Sequence, residues 1–173
     1  MDELAHKMGI SKKTLYQYFS NKEELVVESL QHMLNGIRLE IEGKLNDNSE
    51  TPLQAVLQIY ELAFKYMEKF SPSFLFGLKK YYASAFSLYL SFRKEIVFGQ
   101  VLLLLQKAKD LKQVRPEIDV KLVCDINFLR MDQLLFSNGS LFDKHPYKKL
   151  MEYLIINNIR GIMEPEYLLH CKN

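Results

Sequence analysis

The stretch Asp2-Glu3-Leu4-Ala5-His6-Lys7-Met8-Gly9-Ile10-Ser11-Lys12-Lys13-Thr14-Leu15-Tyr16-Gln17-Tyr18-Phe19-Ser20-Asn21-Lys22-Glu23-Glu24-Leu25 decides how this chain is read. Leu4, Ala5 and Met8 fall on one helical face, and Gly9 stands where a helix C-terminus takes a left-handed residue. Ser11 can accept hydrogen bonds from the free amides of a second short helix over 12–19, with Leu15 and either Tyr18 or Phe19 turned inward. Two short helices joined by so tight a turn are a helix-turn-helix. Ala5 is small enough for the helices to cross closely, and Ile10 fills the space under the turn.

Ser20 with Glu23 and Asn21 with Glu24 form overlapping capping boxes, so a third helix opens there whichever residue caps it. Leu25, Ser29, Leu30, Met33, Leu34, Ile37 and Ile41 repeat at helical spacing and carry that helix to about Leu45. A polar loop over 46–50 precedes Thr51-Pro52 and Gln54, a cap, a first-turn proline and a capping-box partner. Leu53, Val56, Leu57, Tyr60, Phe64, Met67 and Phe70 form the buried stripe of the next helix, which Ser71-Pro72 ends. Between Ser73 and Ser91 aromatic residues blur the period, and one or two short helices are expected. A helix with a wide apolar face follows from Phe92 to Asp110, broken over 112–116. Asp119 caps a helix from Val120 to Phe136, Asn138-Gly139 stops it, and a last helix runs from Pro146 to about Met163.

Seven Gly, five Pro and no strand-like alternation make the expected fold all-α. With 173 residues, 48% of them apolar, the chain can bury a full core. The balance of 23 basic against 21 acidic residues places any nucleic-acid contact in a local patch rather than in overall charge. Cys124 and Cys171 are too few and too far apart for a disulfide framework or a zinc site, which suits a cytoplasmic location. The longest unbroken apolar run, Val101 to Leu105, falls far short of the ~20 residues a membrane span needs, so no membrane partner is expected. His6, His32, His145 and His170 are scattered, and His170 alone has a cysteine, Cys171, beside it. No constellation for catalysis, metal or cofactor emerges, and the chain is not expected to be an enzyme.

The opening stretch resembles the DNA-binding head of TetR-family (AcrR-like) transcriptional regulators. In that family a helix ending in Gly-aliphatic-Ser leads to a recognition helix closing on Tyr-x-Tyr/His-Phe, and a Lys-Glu pair opens the connecting helix. Met8-Gly9-Ile10-Ser11, Leu15-Tyr16-Gln17-Tyr18-Phe19 and Lys22-Glu23 are similar in type and order. The likeness covers Asp2 to about Leu30, and 114–119 resembles the segment before the family's dimerising helices. It implies an N-terminal helix-turn-helix followed by a TetR-type C-terminal helical bundle, acting as a ligand-responsive homodimeric repressor on a double-stranded DNA operator. The family's head has three helices, so the resemblance implies an incomplete head whose first helix is missing ahead of Met1. The expected division is 1–45 for the head and connecting helix and 46–173 for ligand binding and dimerisation. The alternative is a helical small-molecule-binding or interaction protein, derived from such a regulator, that no longer binds DNA.

For DNA, the candidates are Ser11, Lys12, Lys13, Thr14, Tyr16, Gln17, Tyr18 and Lys22. Lys12, Lys13 and Gln17 suit base edges or phosphates, and Thr14 suits a thymine methyl. The Tyr16 and Tyr18 hydroxyls suit phosphates, and Lys22 stands at a helix N-terminus that itself favours an anion. For any single one of these the bland reading is a core tyrosine or a solvated lysine. For the effector, a small apolar or aromatic molecule, the resemblance places the pocket centrally; Tyr60, Phe64, Met67, Phe74, Tyr82, Phe86, Tyr89 and Phe98 are the candidates there, or else simply core. Phe70 and Tyr81 belong to the same aromatic cluster, and no charged residue appears inside it to name a ligand. Helices 120–136 and 146–163 would pair with a second copy, with Asn157 and Asn158 fixing the register, although an intramolecular core would look similar.

Overall fold

The computed structural model describes residues 1–45, 51–69, 72–136 and 141–170. The loop over 46–50, Phe70, Ser71, the Asn138-Gly139 stop and Cys171 lie outside those residues. The chain is all-α: α1 is Asp2–Lys7, α2 Lys12–Tyr18, α3 Lys22–Leu45, α4 Pro52–Lys69 and α5 Pro72–Tyr81. Ala83–Lys94, a π-helical stretch Glu95–Val101 and Leu102–Asp110 run on as one rod, α6, over 83–110. Then come α7, Val120–Phe136, and the short α8, Leu141–Lys144. Helix α9 spans 147–162 with a π-helical stretch, Glu152–Ile156, in its middle, and α10 is Pro165–His170. Among the described residues the sole β-type pairing is an isolated antiparallel bridge between Val114 and Met163.

The starts of these helices follow the capping chemistry. Asn21 Oδ1 accepts from the Glu24 amide at 2.9 Å, while the Glu24 carboxylate reaches back to the Ser20 amide at 2.5 Å. Thr51 and Gln54 close their box in both directions, at 2.8 Å and 3.3 Å. Asp119 accepts from the Leu122 amide at 3.0 Å and opens α7. Helix α6 starts at Ala83, well ahead of Phe92, and packs both on α3 and on α5. Such two-sided packing erases the single stripe that periodicity detects.

Helix α4 runs through the middle of the body, against α3, the 102–110 part of α6, and α9. Val56, Leu53, Ile59 and Phe64 are its buried anchors. The α3 stripe is Leu30, Leu34, Ile37 and Ile41, whereas Ser29 is exposed. After α6 the chain passes through Lys112, in the left-handed region at φ 55°, and buries Val114 beside the end of α9. Backbone bonds from Arg115 to Ile162 and from Glu164 to Gln113, both 3.0 Å, tie that segment to the C-terminal helices.

Candidate nucleic-acid interface and ligand cavity

The two-helix head forms as its sequence dictates. Gly9 takes φ +68°, its amide bonds the His6 carbonyl, and the Ile10 amide bonds the Ala5 carbonyl at 3.0 Å, turning the chain between α1 and α2. Ser11 caps α2: its Oγ accepts from the Thr14 amide at 3.0 Å and lies 2.7 Å from the Thr14 hydroxyl. Ala5 and Leu15 are buried where the helices cross. Of the two inward candidates at the end of α2, Phe19 is half-buried and Tyr18 is 74% exposed, so Phe19 takes the inward place.

Lys13, Tyr16, Gln17 and Tyr18 therefore stand on the open side of α2. Lys12 instead pairs with Asp2 across the turn at 2.8 Å, and Thr14 is half-buried in the cap. That pairing holds the Asp2 carboxyl below its ordinary range and the Lys12 ammonium above its own. Lys22 turns toward the body: its Nζ lies 5.7 Å from the centre of the Tyr82 ring, and the tyrosine raises its pKa. Beside it the Ser84 hydroxyl donates to Glu23 at 2.7 Å. Further along, Arg38 forks onto Glu95 at 3.1 Å and 2.7 Å and covers the Phe92 ring. Helices α3 and α6 are thus joined by polar contacts from the head end to the start of the π-helical stretch.

Between α3, α4, α5, α6 and α7 lies a cavity of about 120 Å³. Five of the eight aromatic and methionine candidates line it: Tyr60, Phe64, Met67, Phe74 and Tyr89. The other three do not. Tyr82 sits at the head junction under Lys22, and Phe98 stacks behind the wall residue Phe128 with centroids 5.5 Å apart. Phe86 faces a separate open hollow together with Lys79, Arg130, Tyr153 and Asn158.

Contrary to the expectation that no charge enters the cluster, Arg93 lines the cavity. It is bound to Asp132 and spread over the Phe128 and Tyr89 rings at 4.5 Å and 5.7 Å. Asn127, 5% exposed, and Tyr60 complete the polar end. Burial pushes the Tyr60 hydroxyl far above its ordinary value, with Asn127 and Arg93 opposing. Its oxygen has no partner in hydrogen-bonding geometry. Sequence reading missed Arg93 because Arg93-Lys94 looks like a solvated surface pair. Asn127, set between Ile126 and Phe128, was the available signal: a lone amide in an apolar helix.

The head and the body each resemble known proteins. Residues 1–28 match the family described as bacterial regulatory proteins, tetR family. The structure superposes on a TetR family transcriptional regulator, PfmR from Thermus thermophilus, with a TM-score of 0.61 and 21% identity, covering 88% of this chain and 82% of that one. The first 28 residues are thus similar to a tetR-family head, and the helical body shares the fold of the solved regulator. Among curated proteins it is 34% identical over 116 residues to the uncharacterized HTH-type transcriptional regulator YvaF of Bacillus subtilis (strain 168), a match covering 66% of this chain and 60% of that protein. Both relatives are named as transcriptional regulators and neither as an enzyme. Among the described residues no helix is long and apolar enough to cross a membrane, and no group of His, Cys, Asp or Glu is placed to hold a metal.

Proposed function

We propose that this chain is a cytoplasmic DNA-binding transcriptional regulator, a homodimeric repressor that releases its operator when a small molecule enters the central cavity. Residues 1–45 act as reading head and lever, and 46–173 as the ligand-binding and pairing body. The observation that carries this reading is the course of α3. It begins at the head with Lys22 and Glu23, and further on its Leu30, Leu34, Ile37 and Ile41 wall the cavity. A molecule that repacks that wall moves the lever.

On DNA, Lys13 and Gln17 meet base edges or phosphates from the open side of α2, and the Tyr16 and Tyr18 hydroxyls meet phosphates. Lys12 joins them by exchanging Asp2 for a phosphate. Paired heads must match major grooves ~34 Å apart, so a modest change in lever angle prevents simultaneous docking. A ligand preference of ~3 kcal/mol for the non-binding arrangement shifts the equilibrium about a hundredfold. The pairing surface is the outer stripe of α7, Leu122, Ile126 and Leu129, with Tyr153 of α9. All four are exposed, while Val120, Cys124, Asn127 and Met131 of α7 face the core.

The second reading, a helical small-molecule binder without DNA function, draws support from the head itself. Leu4 and Met8 are 36% and 56% exposed, so α1 presents apolar surface that nothing among the described residues covers. A fluorescence-anisotropy titration decides between them, using duplexes that the protein selects from a random pool. Tyr16→Phe is expected to weaken binding about tenfold, as loss of a hydrogen bond to a charged group does. Lys13→Ala is expected to flatten the salt dependence by about one counterion. Failure to retain any duplex above non-specific binding at low salt would leave the second reading.

A further inference from the structure

We infer that the cavity takes a small, uncharged, single-ring aromatic molecule bearing one hydrogen-bond-accepting oxygen, a phenol or an aryl carbonyl, with that oxygen set against Tyr60 and Asn127. The inference deepens the ligand-responsive reading above and rests on it. Size sets the first limit. The space is about 120 Å³, and an apolar protein cavity of roughly 150 Å³ accommodates benzene, so one ring with one small substituent fills it. Met33, Met67 and the 39% exposed Phe74 stand among its lining residues, and two flexible thioethers allow for a substituent beyond the bare ring.

Polarity sets the second limit. The Tyr60 oxygen is buried without a hydrogen-bond partner, and the Asn127 side chain beside it is also buried. A hydroxyl left unpaired in such surroundings favours a ligand that pairs with it over one that does not. Burial keeps that hydroxyl protonated, so it offers a hydrogen to an oxygen. Charge sets the third. Arg93 is the cationic side chain on the wall, and Asp132 already neutralises it. A carboxylate entering here would have to break that pair and lose its own water, so a neutral molecule is preferred.

The test is calorimetric titration of the full chain, without DNA, with phenol, toluene and benzoate. Phenol should bind about five- to tenfold more tightly than toluene, the usual net worth of one neutral hydrogen bond, and benzoate should show no binding at millimolar concentration. In Tyr60→Phe, phenol should fall to the level of toluene, with toluene unchanged. That variant should melt no lower than the parent, because it removes only an unpaired hydroxyl. Asn127→Ala provides a second variant with the same expected loss of preference. Toluene matching phenol in the parent chain, benzoate binding comparably, survival of the preference in both variants, or no heat from any of the three overturns the assignment. Phenol binding as expected while the DNA complex stays intact would sink the switch and leave the ligand assignment standing.

Discussion

Gly9 is the residue on which the head turns. At φ +68° a side chain with a Cβ is strained, although no neighbour lies within 4 Å of the place where that Cβ would sit. Gly9→Ala should therefore cost about 1 kcal/mol through backbone strain alone. Hydrogen exchange should show it as weakened protection confined to α1 and α2, and equal weakening in α4 would contradict this. Glu24 acts nearby through charge. Its carboxylate accepts from the Ser20 amide at 2.5 Å, and its pKa is held below the ordinary 4.5. A carboxyl depressed by folding stabilises fully above its unfolded value, and the contribution is lost as pH falls through the folded one. Glu24→Gln should accordingly lie closer to the parent at about pH 3 than at about pH 6 in thermal melts. A constant offset across that range would count against the carboxylate's role. Neither the Asp2–Lys12 pair nor the turn of Lys22 toward Tyr82 was legible in sequence. Each depends on where one loop or helix ends up relative to another, and a lysine's spacing carries no trace of its partner.

At the scale of elements, the helix starts were legible because capping is local chemistry. Asn21 with Glu24, Thr51 with Gln54, and Asp119 are all used as their spacing predicts. What stayed hidden was the first part of α6, ahead of Phe92. Its aromatic residues serve α3, α5 and the cavity at once, and its π-helical stretch over 95–101 shifts the faces of residues beyond it. Phe98, which its place in the aromatic cluster assigned to the pocket, stands within that stretch and is set behind Phe128. Thr51 offers a test of the capping logic. It closes the box with Gln54 and also meets the Tyr167 hydroxyl at 3.1 Å, so it ties the start of α4 to α10. Thr51→Ala should cost about 1–2 kcal/mol in chemical denaturation, the upper part of the usual range for a lost cap. A loss well below ~0.5 kcal/mol would show that the box contributes little. Gly36, exposed in the middle of α3, is the opposite case. Gly36→Ala meets nothing within 4 Å and should raise stability by about 0.5–1 kcal/mol.

For the whole molecule, the decisive feature is that α7 is apolar on two sides. Cys124 and Met131 bury one side in the core, where burial pushes the Cys124 thiol up to about 11. Leu122, Ile126 and Leu129 recur on the other side, at 53%, 45% and 63% exposure. An apolar face calls for cover, and among the described residues only one of the two apolar sides of α7 is covered. Sequence showed the width of the face but not which half the molecule covers for itself, since both halves obey the same periodicity. In the proposed dimer a second copy covers that stripe together with the exposed Tyr153 of α9, and a stable interface calls for ~800 Å² per partner. Leu129→Glu places a charge at the most exposed position of that stripe while leaving the internal core untouched. Sedimentation equilibrium should show the parent as a dimer and the variant as a monomer, with the far-ultraviolet spectrum unchanged. Because docking both heads on a palindrome depends on their being tied together, the variant should also lose affinity for the full palindromic site far more than for a single half-site. A variant that remains dimeric would place the pairing surface elsewhere, and a parent already monomeric at micromolar concentration would overturn the pairing and leave the exposed leucines of α7 to some other partner.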